Sequence, residues 1–179
     1  IVIMVQYEYQ FSVIIPYYNL PKELDRCLKS LSLQLISKKY FEILVVDDGS
    51  SINAINIVNK YYKKLPNLTF FQLKKNKGPG IARNFGINKS KGKYIIFLDC
   101  DDILTKDAIK KLNTIARKNY DAISFNFSYL NSNTKFLKRQ RKDQTILNVS
   151  KNKLLKLFLS MNYQNAVTFT VCKKDIFLK

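Results

Sequence analysis

The sequence predicts an α/β domain built on a doubly wound, mostly parallel central sheet flanked by helices, and three observations carry that prediction. First, Phe11-Ser12-Val13-Ile14-Ile15, Phe41-Glu42-Ile43-Leu44-Val45-Val46 and Lys93-Tyr94-Ile95-Ile96-Phe97-Leu98 are short and almost continuously apolar. Runs of that kind suit strands covered on both faces. Second, segments of helical period separate the apolar runs, the arrangement of parallel strands joined by right-handed crossovers. Third, these three runs stop abruptly at Pro16-Tyr17-Tyr18-Asn19, Asp47-Asp48-Gly49-Ser50 and Asp99-Cys100-Asp101-Asp102. Ligands of open α/β sheets sit at such carboxyl ends of strands.

In order along the chain, Pro16 is expected to halt the first strand, because proline can close a strand but not continue a central one. Pro21 opens a helix with Leu24, Leu28, Leu31 and Leu35 facing inward and Lys22, Glu23, Arg26 and Lys29 outward. After the second strand, Gly49 permits a sharp turn and Ser50 or Ser51 is expected to cap a helix reaching Lys64. Leu68 to Leu73 is the third strand. Asn76-Lys77-Gly78-Pro79-Gly80 is too rich in Gly and Pro to be regular, and a short helix carrying Ile81, Ala82, Arg83, Asn84 and Phe85 follows it. Beyond the fourth strand, Lys93 to Leu98, Thr105 caps a helix reaching Lys118, with Ala108, Ile109, Leu112, Ile115 and Ala116 inward. Ala122 to Phe127 is the fifth strand. Asn131 to Asp143 is strongly basic, with Lys135, Lys138, Arg139, Arg141 and Lys142, and reads as a mobile excursion or surface hairpin. Ser150 starts a helix with Leu154, Phe158 and Met161 on one side, and Val167 to Cys172 is one more strand.

The 179 residues suit one domain with a full core. Lys and Arg number 31 against 13 Asp and Glu, a formal charge of +18 that favours polyanions: nucleic acid, an anionic membrane surface or phosphorylated substrates. Abundant Lys, Asn and Ile in surface segments is also what a compositional bias alone produces. Cys27, Cys100 and Cys172 are odd in number and widely spaced, so they read as reduced thiols of a cytosolic protein. With no His, proton transfer falls to a carboxylate, Lys, Tyr or Cys, and a His-Cys zinc site is excluded. No apolar run approaches the roughly twenty residues of a membrane span. Ile1 to Val5 lacks the basic leader of a signal peptide. Because the chain does not start with Met, we expect it to be a piece of a longer protein.

Asp99 and Asp101 are two residues apart, so in an extended segment they project to one side with Cys100 opposite. Clustered carboxylates repel unless a cation lies between them, and oxygen ligands without His or Cys suit magnesium or manganese, which prefer carboxylate plus phosphate oxygens. Tyr17 and Tyr18 offer a flat ring on which a base can stack. A carboxylate of the Asp47-Asp48 pair can accept from a base N–H or a ribose hydroxyl, and Arg83 can donate to base or phosphate oxygens. Together these parts describe a nucleoside-diphosphate site. A G-x-G-x-x-G after the first strand and a Walker phosphate loop are both absent.

In their order along the chain, Ser12-Val13-Ile14-Ile15-Pro16-Tyr17-Tyr18-Asn19, Val45-Val46-Asp47-Asp48-Gly49-Ser50, Asn76-Lys77-Gly78-Pro79-Gly80-Ile81-Ala82-Arg83-Asn84 and Phe97-Leu98-Asp99-Cys100-Asp101-Asp102 resemble the successive signatures of family 2 glycosyltransferases, inverting enzymes of the GT-A fold. The resemblance covers residues 11–130 and implies a donor site with Pro16, Tyr17, Tyr18, Asn19, Asp47, Asp48, Gly80, Arg83, Asp99 and Cys100 around the nucleotide. By it, Tyr18 stacks on the base, Asp48 beside Asp47 reads its edge, usually uracil, and Arg83 helps hold it. Asp99 reaches the ribose or the metal, and Asp101 coordinates manganese or magnesium bridging the two phosphates. Cys100 takes the variable middle place of a D-x-D motif.

The resemblance further implies a UDP-sugar donor, a glycan or lipid-linked acceptor, and a general base late in the domain. Neither Asp143 nor Asp175 fits that base, which is expected beyond Lys179. The chain is thus expected to be a single GT-A domain over residues 1–179, cut short at its C-terminus. Residues 11–130 form the nucleotide-sugar half and 131–179 the start of the acceptor-side half. Family analogy and charge place it in the cytoplasm, peripheral at the inner face of a membrane. A catalytically silent nucleotide-sugar module and a nucleic-acid binder are the competing readings. The basic run lacks the interleaved aromatics that single-strand binding uses.

Overall fold

The computed structural model describes residues 6–124, 129–130, 136–137, 146–147 and 170–178. Its strands are β1 (Tyr9–Tyr17), β2 (Phe41–Asp47), β3 (Leu68–Gln72), β4 (Gly92–Phe97), β5 (Ala122–Ser124), β6 (Tyr129–Leu130), β7 (Phe136–Leu137), β8 (Ile146–Leu147) and β9 (Thr170–Lys173). Its α-helices are α1 (Pro21–Ser32), α2 (Ile55–Asn59), α3 (Pro79–Lys89) and α4 (Ala108–Ala116). Seven strands form one sheet in the order β3-β2-β1-β4-β9-β5-β8, while β6 and β7 pair antiparallel as a separate two-stranded sheet. The block β3-β2-β1-β4 is parallel throughout. β9 is antiparallel to both β4 and β5, so the last described strand is driven into the middle of the sheet. The helix expected from Ser150, the lysines and arginines of the basic run, Asp143 and the first residues of the strand expected from Val167 lie outside the described residues.

Strand alternation divides the core into two layers. Phe11, Val13, Ile15 and Tyr17 pack with Leu24, Leu28 and Leu31 of α1 and with Ile109 and Leu112 of α4. Ile14, Leu44, Ile95 and Phe97 pack on the opposite face with Ile87 of α3. Each such side chain, fully buried, contributes about 1.5–3 kcal/mol of transfer free energy. α3 lies close because Gly86 is bare: a Cβ there would stand 2.4 Å from Cγ2 of Ile14. The two polar residues inside these runs satisfy each other. The Ser12 hydroxyl donates to Glu42 at 2.6 Å and accepts the Gly92 N–H at 2.8 Å, which pins β1, β2 and β4 in register.

Several element ends differ from expectation, each for a tertiary reason. Pro16 does not stop β1, which continues through Tyr17. The Ile14 carbonyl accepts from the Leu98 N–H at 3.0 Å, and two residues on, along the same edge, Pro16 has no N–H to offer. β1 therefore parts from β4 at that point while staying paired to β2 through Pro16↔Val46 and Tyr17↔Asp47. The sheet opens at its switch point. α1 ends at Ser32, and Leu35 lies outside it, 61% exposed, because Lys38 Nζ donates to the carbonyls of Leu31, Ser32 and Gln34 and closes the helix there.

Neither Ser50 nor Ser51 caps α2, which starts only at Ile55, because both hydroxyls are committed to Asn19. α4 starts at Ala108 and not at Thr105, whose hydroxyl donates to Asp107. Its first turn is capped from a distance by buried Gln34, which accepts from Ile109 N–H at 3.0 Å and donates to the Thr105 carbonyl at 2.8 Å.

Candidate functional site

Three strand ends and the start of α3 meet at the opening beside Pro16. Asp48 N–H donates to the Tyr17 carbonyl at 2.9 Å, joining the ends of β1 and β2. Asn19 sits in the left-handed region at φ 51°, a conformation Asn tolerates. Its N–H donates to Ser50 Oγ, and its side-chain oxygen accepts from Ser51 and from the Ile52 N–H. The Asp48 carboxylate accepts the N–H groups of Lys77 at 3.0 Å and Gly78 at 2.7 Å, which anchors the loop that starts α3. Five residues into that helix, Arg83 Nη2 donates to Asp99 Oδ1 at 2.6 Å. Asp48, through the loop that starts α3, and Asp99, through Arg83, are thus both tied to α3.

At the end of β4 the chain does not stay extended, contrary to the parity argument from sequence. The Asp102 N–H bonds back to the Asp99 carbonyl at 3.0 Å, a turn. This turn brings one oxygen each of Asp99, Asp101 and Asp102 within 4.8 Å of one another. Asp102, left out of the metal set read from sequence, lies in the same carboxylate cluster. The acidic run was visible in the residues, and the missing step was the turn.

Burial first, and then the charges of Asp101 and Asp99, push the Asp102 carboxyl up to about 6. A set of carboxylates that repel one another and include no nitrogen or sulfur donor fits a divalent cation of the magnesium or manganese type. Asp102 must shed its proton to bind such an ion. Manganese affinity is therefore expected to fall on acidification through about pH 6, by roughly tenfold per unit below it. In the metal-free protein the sign reverses: a raised folded pKa costs stability as pH rises through about 6. Asp102→Asn should flatten the first dependence, read by calorimetric titration between pH 5 and about 7.5.

The remaining sequence candidates fall in different places. Tyr18 is 45% exposed at the rim, free to offer its ring. Tyr17 is not: its ring is 1% exposed within the α1-side core and its hydroxyl donates to the Ile52 carbonyl at 2.9 Å. The alternation Phe11, Val13, Ile15, Tyr17 already carried that information, hidden by the assumption that Pro16 ended the strand. Asp47 is fully buried; one oxygen accepts from the Ser50 N–H at 2.8 Å and the other has no hydrogen-bond partner among the described residues. Cys100 is buried, and loss of solvent followed by the Asp101 charge pushes its thiol up to about 11, so it is a neutral packing group. Gly80 lies exposed in the first turn of α3, with open space where a Cβ would be. Asp175, after β9, bonds to the hydroxyl of Tyr7, which precedes β1, and therefore lies at the opposite end of the sheet from Asp99.

At the opening beside Pro16, Tyr18 lies exposed, and the Arg83 guanidinium bonds to one member of a carboxylate triad whose chemistry suits a divalent cation. The sequence profile described as Glycosyl transferase family 2 matches residues 12–177, and the chain belongs to that family. Among relatives, the poly(ribitol-phosphate) beta-N-acetylglucosaminyltransferase TarS of Staphylococcus aureus strain Mu50 is 42% identical over 102 residues, 56% of this chain and 18% of TarS. A poly(ribitol-phosphate) beta-glucosyltransferase of Bacillus spizizenii is 35% identical over 116 residues, 64% of this chain and 18% of its own. This chain thus spans less than a fifth of either relative.

The crystal structure of S. aureus TarS 1-349 superposes with a TM-score of 0.73 at 28% identity, over 92% of this chain and 47% of that one. Its complex with UDP-GlcNAc superposes at 0.61 and 38% identity over 63% and 33%. The architecture is the GT-A fold.

Proposed function

We propose that this chain holds a nucleotide-diphosphate sugar, a UDP-sugar in the first instance, and passes the sugar with inversion to a hydroxyl of a glycan or lipid-linked acceptor. The observation that carries the proposal is the single rim joining Tyr18, Asp48, Arg83 and the Asp99-Asp101-Asp102 triad. TarS, crystallised with UDP and with UDP-GlcNAc, supports the choice of donor. Tyr18 stacks on the base; each Asp48 oxygen accepts one loop N–H and keeps a lone pair for a base N–H. Asn19 and Gly80 are accessible to solvent, while Pro16, Asp47 and Cys100 are buried and support the strand ends from within. Asp99, Asp101 and Asp102 hold the divalent cation, manganese or magnesium, which when bound offsets charge on the departing diphosphate. Residues 11–130 carry this donor half and 131–179 begin the acceptor side. Asp175, at the end of the sheet opposite Asp99, is not assigned the general-base role.

Titration of UDP with and without manganese tests the reading. Affinity is expected to rise at least about tenfold with the metal, and equal affinity in both, or none, sinks it.

No helix among the described residues is long and apolar enough to cross a membrane. The +18 charge supports attachment to an anionic surface, where each nearby Lys or Arg adds about 1 kcal/mol at low ionic strength. Failure to float with anionic vesicles at low salt removes that part of the proposal.

A further inference from the structure

We infer that Asp48 is a positioning residue as well as a contact for the base: with Gly49 it sets the loop from Lys75 to Gly78 and so fixes where Arg83 stands against Asp99. This rests on the donor site just proposed and concerns how that site is assembled.

Asp48 is 3% exposed, and each carboxylate oxygen accepts one backbone N–H of the same loop, Oδ1 from Lys77 and Oδ2 from Gly78. Gly78 is the residue before α3, so the carboxylate lies at the N-terminal end of the helix, where unpaired N–H groups and the helix dipole favour a negative charge. Asn76 supplies a second acceptor to the Gly78 N–H at 3.0 Å, but among the described residues the Lys77 N–H has Asp48 alone. From the other side, Gly49 at φ +70° is pressed against the same loop. A Cβ there would fall 2.5 Å from the Lys75 carbonyl carbon and 2.6 Å from its Cα. Backbone atoms at that distance cannot swing aside as a long side chain can, so any residue but glycine displaces the loop. The loop is therefore pulled by one residue and left room by the next.

What the loop positions is α3. Pro79 begins the helix directly after Gly78, and Arg83 reaches Asp99 at 2.6 Å from its second turn. A rigid helix converts a shift at its first residue into a shift of the guanidinium, and a charge-assisted bond of this length tolerates little displacement. Misplacement by about 1 Å at such a site is enough for a hundredfold loss.

Two variants separate positioning from base reading, because Gly49→Ala displaces the loop while leaving the Asp48 side chain chemically unchanged. Amide hydrogen exchange at Lys77 and Gly78 is followed by NMR in nucleotide-free protein, with the Val45 amide in β2 as the core reference. UDP affinity is measured in the presence of manganese. Asp48→Asn and Gly49→Ala are each expected to speed exchange at the loop at least about tenfold with Val45 unchanged, and to weaken UDP at least about tenfold. Gly49→Ala that loosens the loop yet binds UDP as the parent does overturns the inference. So does unchanged loop exchange in Asp48→Asn, or Val45 exchange that rises as much as the loop, which reports general loosening. A parent protein that binds no UDP overturns the donor reading instead, and exchange, which needs no nucleotide, then still decides whether Asp48 holds the loop.

Discussion

Asp101→Ala is expected to abolish the metal-dependent part of UDP affinity, a loss of about a hundredfold at saturating manganese, while the melting temperature in metal-free buffer stays within a degree or two of the parent. Asp101 is the exposed member of the triad, so its side chain can be cut away without opening the core. Its removal also takes a negative charge from beside Asp102, whose carboxyl is held up by burial and then by that charge. The variant should therefore release the Asp102 proton more readily even as it loses the ion. Calorimetric titration with and without manganese, beside a thermal melt, checks both halves. Retained enhancement by manganese shows that Asp101 is not a ligand.

Arg83→Ala is expected to weaken UDP binding by about ten- to a hundredfold, matching the 1.5–3 kcal/mol typical of a hydrogen bond to a charged group. The guanidinium is one-fifth exposed and its partner Asp99 about one-third, so the pair is only partly screened by water. Without Arg83 the Asp99 carboxylate keeps its place in the acidic triad but loses the one cation that faces it among the described residues. Repulsion within the triad then rises, and metal-free protein should lose stability near neutral pH and regain it on acidification. Arg83→Lys keeps the charge but not the planar donor geometry and is expected to recover only part of the affinity. Full recovery by lysine shows that charge alone matters at this position.

The strands were legible because a doubly covered strand needs continuous apolar residues, and Ile14, Leu44 and Ile96 could hardly serve elsewhere. Helix boundaries were not, since their caps come from distant parts of the chain. Gln34, two residues past the end of α1, caps a helix that begins more than seventy residues later. Asn19 takes the two hydroxyls that looked like the cap of α2. The rim was legible residue by residue, but the turn that recruits Asp102 and the burial of Tyr17 needed the backbone path. The insertion of β9 left no local trace, because strand direction and partner are set by pairing across the fold and not by the residues of the strand itself.

That insertion bears on how the molecule is made. As the chain is synthesised, β1 to β4 can assemble from neighbours close in sequence, but β4 then waits as an open border with unpaired amides until Thr170 to Lys173 emerge. A nascent chain halted before that point exposes a sticky edge next to its acidic triad. Ribosome-bound intermediates of this length are where chaperone dependence and aggregation should concentrate.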